Sequence, residues 1–207
     1  MIDRGRKMLL RLIEMVVAGL VLLISSPLLV VIAILIRRDS KGPVLFRQTR
    51  LGMHQEPFTL FKFRTFYADA RERFPDLYDY RYERDQLQNF TFKKRDDPRT
   101  TPIGRVLRRT SLDELPNFWN LLRGDMALVG PRPEIPELLP YYEGEMLDMF
   151  TVRPGITGLA QVSGRGDLDF LETVRQDVEY VHNRSLRLDL KIIGLTIVQC
   201  LRMEGAF

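Results

Sequence analysis

The longest apolar run in the chain extends from Met15 to Ile36, MVVAGLVLLISSPLLVVIAILI, and carries no charged residue. At about 1.5 Å of rise per residue, a helix of that length just crosses ~30 Å of hydrocarbon, so a membrane element is predicted over residues 1–38. Basic residues flank it on both sides: Arg4, Arg6, Lys7 and Arg11 before, and Arg37, Arg38, Lys41, Arg47 and Arg50 after. Positive flanks favour the cytoplasmic side, so charge at both ends suits a helix that enters the membrane and turns back. Ser25-Ser26-Pro27 lies mid-run, where proline removes a backbone donor and kinks the helix while serine hydroxyls satisfy the freed groups. A kinked single-pass anchor fits the same residues, and the pattern alone leaves both topologies open. A cleaved signal peptide is disfavoured, because the run is long and no small-x-small site follows it before Arg37.

Beyond that run the apolar stretches shorten. Gly42-Pro43-Val44-Leu45-Phe46 and Phe58-Thr59-Leu60-Phe61-Lys62-Phe63-Arg64, separated by Gly52 and Pro57, predict two strands of a small hairpin. Tyr67 to Asp97 is dense in charge and tyrosine, with helical tendency in ADARERF and YRYERDQLQNF, and reads as a variable surface excursion. Helical periodicity returns at Ile103 to Arg109 and at Pro116 to Leu122, where proline takes a first-turn position at little cost. Glu134 to Phe150 is broken by Pro136 and Pro140, and Leu168 to Asn183 and Leu186 to Met203 complete the helical set. In the last, Leu186, Leu190, Ile193, Ile197 and Leu201 form an apolar stripe suited to a membrane interface or to packing against the domain. The fold class is α+β, mainly helical, with a membrane segment at 1–38 and one domain over 39–207.

An apolar fraction of 45% in 207 residues is ample for one core beside the membrane segment. The 31 basic and 27 acidic residues leave a charge of +4, which favours anionic partners without choosing among nucleic acid, lipid and diphosphate. Both signs are interspersed rather than gathered in a basic stripe with aromatics, so no nucleic-acid partner is expected. Cys200 stands alone in an apolar pattern, which removes an internal disulfide and predicts a buried, packed thiol. His54 and His182 are isolated and suggest no zinc or catalytic constellation.

Candidate chemistry begins at Ser111-Leu112-Asp113-Glu114-Leu115-Pro116, two adjacent carboxylates before a helix start, with Arg108, Arg109 and Arg123 close in sequence. Ser111 and Glu114 also match a capping box, which would make both acids ordinary helix-start residues. A helix begun at Ser111 would meet Pro116 within its first turns, where the missing N–H and the ring interfere, and that weakens the capping reading. Glycosidase chemistry needs carboxyls facing each other across a substrate at roughly 5 to 10 Å, whereas neighbours in sequence point apart. Adjacent acids suit a nucleophile beside a metal ligand or charge stabiliser. Phosphoryl transfer uses such a pair when cations offset the repulsion between an anionic nucleophile and a diphosphate. Gly130-Pro131-Arg132-Pro133 and Val152-Arg153-Pro154-Gly155-Ile156-Thr157-Gly158 supply arginines in rigid turns, with glycines that let backbone N–H groups approach the same anion. Either motif alone is also explained by a tight turn with a solvated arginine; their joint occurrence after paired acids favours a site.

In chain order, Ser26-Pro27, Lys62-Phe63-Arg64-Thr65, the stretch from Asp97-Pro98-Arg99 to Ser111-Leu112-Asp113-Glu114-Leu115-Pro116, Gly124-Asp125-Met126, Gly130-Pro131-Arg132-Pro133 and Arg153-Pro154-Gly155-Ile156-Thr157-Gly158-Leu159-Ala160-Gln161-Val162 resemble the monotopic phosphoglycosyl transferases, the bacterial sugar transferase family. The resemblance covers nearly the whole chain. It implies a re-entrant membrane helix hairpin turning at Ser26 and Pro27, a small catalytic domain on the cytoplasmic face of the bacterial inner membrane, and interfacial amphipathic helices. The implied reaction moves a phosphosugar from a UDP-sugar to polyprenol phosphate, releasing UMP, by a ping-pong route through Asp113. It further implies Mg2+ held by Glu114, with Asp113 as a second candidate ligand. Substrate or phosphate contacts fall to Lys62, Arg64, Arg108, Arg132, Arg153, Gly155, Gln161 and Asp177, the last an acid whose role the family pattern does not define. Membrane lipid is the other implied partner, and a homodimer is compatible with the sequence. Two departures stand out: Phe66 where methionine is expected, and a Tyr67 to Arg95 stretch longer than in compact members. Two other classes remain: a membrane-anchored basic scaffold binding anionic lipid or nucleic acid, and a classical glycosyltransferase releasing UDP.

Overall fold

The computed structural model describes residues 4–82, 97–164 and 168–202. The apolar run is one helix, α1 (Arg4–Asp39), with Pro27 inside it. Its mean hydropathy reaches 2.9 over 18 residues, which makes it long and apolar enough to cross a membrane. Proline at 27 deprives the Leu23 carbonyl of its helical donor, and the Ser26 hydroxyl donates to that carbonyl at 2.7 Å. Ser25 Oγ donates to Val21 O in the same way. Leu23 and Ile24 are 70% and 76% exposed among the described residues.

Both ends of α1 are tied to the domain. Arg11 donates to Leu121 O and Leu122 O at 2.7 and 2.8 Å, a cation on the last carbonyls of a second helix. Glu14 accepts from Leu128 N and pairs with Arg153 at 3.0 Å. At the other end Ile32 and Ile36 pack with Phe63 and Leu107, and Asp39 Oδ2 accepts from Ile103 N.

The expected hairpin forms from β1 (Leu45–Leu51) and β2 (Pro57–Phe63), antiparallel with Phe46 opposite Lys62, Gln48 opposite Leu60 and Arg50 opposite Phe58. Period-two alternation therefore puts Gln48, Arg50, Leu60 and Lys62 on one face. The excursion begins with a short helix, α2 (Ala70–Arg73), and a 3-10 turn, Pro75–Tyr78; its YRYERDQLQNF portion lies largely outside the described residues. Next comes α3 (Pro102–Thr110), capped by Thr101, whose hydroxyl accepts from Gly104 N at 2.9 Å. Then α4 (Asn117–Arg123) ends at Gly124, whose φ of 96° is the left-handed stop glycine allows. Asn120, fully buried, joins α4 to β2: its amide donates to Thr59 O and accepts from Phe61 N.

A parallel pair that the apolar pattern did not signal, β3 (Ala127–Val129) and β4 (Gly155–Thr157), follows. Three residues per strand are too few to print a period. Here the loops after β3 and before β4 cross at backbone contact. A side chain on Gly155 would run into Gly130 N and Thr157 O, and one on Gly158 into Gly130 O. The region from Glu134 to Phe150, broken by its prolines, forms 3-10 turns at Pro136–Tyr141 and Gly144–Thr151. Their side chains pack with α6 (Phe170–His182) in a core of Leu138, Tyr142, Phe150, Phe170 and Val174. Between them lies α5 (Leu159–Gly164).

The last helix, α7 (Leu186–Arg202), is held through Ile192, which is fully buried, and through Thr196 and Gln199. Most of its predicted stripe points the other way: Leu186, Leu190, Ile197 and Leu201 are exposed, while Ile193 packs on the domain beside Val129, Val162 and Tyr180. Cys200 is exposed with it, which corrects the buried thiol expected from its apolar neighbours.

The glycine crossing leads to a direct prediction. Gly155→Ala pushes a methyl into backbone on both sides, where nothing can rotate away, and is expected to lower stability by about 3 kcal/mol. Chemical unfolding in detergent measures it; an unchanged midpoint would show that the loops are not in contact.

Candidate active site

Asp113 and Glu114 sit in a single 3-10 turn, Leu112–Glu114, between α3 and α4. The chain enters it through Ser111, whose φ of 57° and ψ of 15° are left-handed and end α3. Ser111 makes no side-chain cap bond, so the capping box is absent although both acids lie in the first turn of this short 3-10 helix. Lys62 reaches from β2 to Glu114 Oε1 at 2.6 Å. Both side chains retain exposure, 21% and 34%, which keeps the pair wet and its contribution to stability small.

Around this pair lies a narrow cleft lined by Arg50, Leu60, Lys62, Glu114, Asn117, Met126, Arg132, Pro133, Gly155, Ile156 and Gln161. Of the residues named from the sequence, it brings together Lys62, Glu114, Arg132, Gly155 and Gln161. Asp113 is half-buried, next to Glu114 in the turn. Arg108 stands near enough that Asp113 affects its charge: burial draws the guanidinium down from its ordinary value, and Asp97 and then Asp113 oppose this. Asn117 Oδ1 and Gln161 Oε1 are buried acceptors with no partner among the described protein atoms.

Arg132 is presented by a turn whose backbone is fixed nearly group by group. Gly130 N donates to Thr157 O, Gly155 N donates to Pro131 O, and Arg132 N donates to Asp177 Oδ2 at 3.0 Å. Pro133 O accepts from Arg50 at 2.9 Å, and Glu134 O accepts from Leu51 N at 2.8 Å. Beneath the turn, Glu134 is 2% exposed and takes Tyr142 OH at 2.8 Å, with Arg50 at 3.8 Å. Burial raises the Glu134 carboxyl, and Arg50 opposes it. Burial also lifts the Asp177 carboxyl to about 7, against the Arg132 N–H and then its guanidinium.

Three residues named from the sequence lie elsewhere. Arg64 is 4% exposed and donates to the carbonyls of Ser40 and Lys41, fixing the chain just beyond the end of α1. Arg153 turns to Glu14 and Met126 O, joining its loop to α1. Asp177 is 1% exposed beneath the Arg132 turn and accepts from the Arg132 N–H.

Arg50, Asn117 and Glu134 were not identified from the sequence. In sequence Arg50 reads as a membrane-flanking charge, whereas its register opposite Phe58, on the face that carries Lys62, places it toward the cleft. Asn117 directly follows the paired acids and Pro116, a position that could have drawn notice. Glu134 follows Pro133, and no local signal separates a buried acid there from a surface one.

Among the described residues no three His, Cys, Asp or Glu side chains converge as a metal cage. Magnesium does not require one, since it keeps waters and substrate oxygens and needs only one or two carboxylates. Adjacent, partly exposed acids beside cationic side chains fit that hard-oxygen chemistry.

Residues 5–203 match the family model described as bacterial sugar transferase. The chain is 41% identical over 208 residues to the undecaprenyl-phosphate glucose phosphotransferase of Komagataeibacter xylinus, covering 95% of this chain and 36% of that protein. It is 40% identical over 205 residues to the UDP-glucose:undecaprenyl-phosphate glucose-1-phosphate transferase of Caulobacter vibrioides, covering 95% and 71%. It is 37% identical over 210 residues to the undecaprenyl-phosphate galactose phosphotransferase of Salmonella typhimurium, covering 99% and 43%. The chain thus spans less than half of the first and third relatives. Matched along almost all of its length, with Glu114 of the paired acids and a braced arginine turn lining one cleft, the chain belongs to the bacterial sugar transferase family.

Proposed function

We propose that this chain transfers a phosphosugar from a UDP-sugar to a polyprenyl phosphate, releasing UMP and forming a polyprenyl diphosphosugar. The observation that carries this reading is the convergence of Glu114, Lys62 and Arg132 in one cleft, with Asp113 beside Glu114 in the same turn. The relatives' names specify undecaprenyl phosphate as acceptor and differ in sugar, glucose or galactose, so the reading extends to phosphosugars as a class. The buried acceptors of Asn117 and Gln161 suit hydroxyl donors on such a ligand.

In the first half-reaction an Asp113 oxygen attacks the phosphorus that bears the sugar. Its bond to the bridging oxygen breaks, and UMP departs with that oxygen and the electron pair. In the second, a phosphate oxygen of the polyprenol attacks the same phosphorus and the aspartate is restored. Arg132, on a backbone with little freedom, serves as a bidentate grip for phosphate oxygens. Lys62 holds Glu114 and brings positive charge to the approach of an anionic ligand. Magnesium, when bound through Glu114, supplies further positive charge to the diphosphate.

The acceptor's phosphate lies at headgroup level, so the site belongs at a membrane surface. We read α1 as re-entrant. Arg11 and Glu14 at one end and Asp39 at the other bond to the same domain, while the middle, with Leu23 and Ile24, is apolar and exposed. A straight crossing would carry one end some ~38 Å away, across the bilayer, by helical rise alone. The outward stripe of α7 suits the same interface, and we assign the domain to the cytoplasmic face because nucleotide sugars occur there.

Incubation with magnesium, undecaprenyl phosphate and a panel of UDP-sugars is expected to release UMP for at least one donor. Asp113→Asn should reduce that release by at least about 1,000-fold. UDP as the released nucleotide would assign the chain to classical glycosyl transfer, and no release from any donor would favour the scaffold. A second expectation concerns Asp177. Its unfolded carboxyl titrates near about 3.9 and its folded one at about 7, so between these values the folded state holds the extra proton. Stability then falls as pH rises through that window and levels off above it. Asp177→Asn should flatten the unfolding midpoint between about pH 4.5 and 7.5; an unchanged slope would show that Asp177 folds ionised.

A further inference from the structure

Arg108 occupies the last turn of α3, with Asp113 among the charges that act on it. Its Nη1 lies 3.4 Å from Thr100 Oγ1 and 3.7 Å from Asp97 Oδ2, and its guanidinium carbon is 5.1 Å from the centroid of the Phe66 ring. Asp97 is 6% exposed and is itself held twice by Arg99, from Nε to Oδ1 at 2.9 Å and from Nη2 to Oδ2 at 2.7 Å. Arg99 in turn lies 4.6 Å from the Phe66 centroid and 4.9 Å from that of Tyr78. The backbones of the two segments are stitched together as well: Tyr67 N donates to Arg99 O and Thr101 N to Thr65 O, both at 2.9 Å. Burial acts to raise the Asp97 carboxyl, and its bonds to Arg99 together with the Arg108 charge overcome that, so it stays ionised.

Two guanidiniums thus share one buried carboxylate and one aromatic ring. Arg99 alone satisfies Asp97 through a bidentate pair, and a second cation at close range adds repulsion to the cost of burial. What the arrangement supplies is position: the planar guanidinium of Arg108 has a ring to lie against and an anion to face. An aromatic at 66, where methionine was expected, provides the flat cation-binding surface that a thioether lacks.

We propose that Asp97, acting with the Phe66 ring, is a positioning residue that holds Arg108 at Asp113 so that its charge meets the phosphate being transferred. This rests on the reading of Asp113 as nucleophile.

A double-mutant cycle tests it. Asp97→Asn keeps the side-chain oxygen that accepts from Arg99 N and removes the charge. It is expected to lower kcat/KM for the UDP-sugar in UMP release by about tenfold in the wild-type background, and by less than about twofold where Arg108→Gln is already present. A purely structural role would instead lower both backgrounds by the same factor, and that result would overturn the proposal. If Asp97→Asn lowers the unfolding midpoint by more than about 5 °C, Phe66→Leu, which removes the ring and leaves the ion pair, replaces it in the cycle under the same criterion. A wild-type protein that releases no UMP would overturn the reading of the site itself, whereas equal losses in an active protein would overturn only the role of Asp97.

Discussion

The backbone crossing of Gly130 with Gly155 and Gly158 is the constraint on which the rest of the site depends. No Cβ fits there, so the turn that carries Arg132 and the strand β4 that leads to Gln161 approach to hydrogen-bonding distance. Once they touch, Gly130 N has Thr157 O, Pro131 O has Gly155 N, and the Arg132 amide faces Asp177. An arginine on a free loop would lose side-chain and backbone entropy each time it gripped a phosphate. Here much of that ordering is completed on folding.

The arginines divide by what surrounds them. Arg64 fixes the chain just beyond α1, Arg11 ends a helix, Arg153 joins a loop to α1, and Arg50 braces the Arg132 turn over Glu134. These side chains meet carbonyls or carboxylates of the fold itself. Arg132 reaches the cleft from a turn held by others, and Arg108 lies beside the buried Asp97 in the last turn of α3. A modest net charge of +4 therefore says little about the site, since much of the basic content is absorbed in holding α1, the hairpin and the two loops together.

Much of this was legible in the sequence, for reasons that differ by element. The long apolar helix was visible as an unbroken uncharged run, and the serine next to Pro27 fills the gap that proline leaves. The hairpin and the helices around the paired acids followed from periodicity and from Gly and Pro boundaries. Pro116 argued correctly against a capping box at Ser111, which instead turns left-handed and turns the acids away from α3. The short parallel pair had no period to read, and the direction of the α7 stripe depended on Ile192, Thr196 and Gln199 finding partners on other elements. Arg64, Arg153 and Asp177 illustrate the same limit within the site. A motif shows that a residue is needed, but only its neighbours in space decide whether it serves the ligand or the fold.

The most direct measurement is the intact mass of the protein after incubation with the donor identified by UMP release, with polyprenyl phosphate withheld. A gain of one sugar-phosphoryl group, mapped to the peptide carrying Asp113 and lost when acceptor is added, is the expected result. UMP release that starts only when acceptor is present, with no mass gain on Asp113 at any time, would contradict the covalent route.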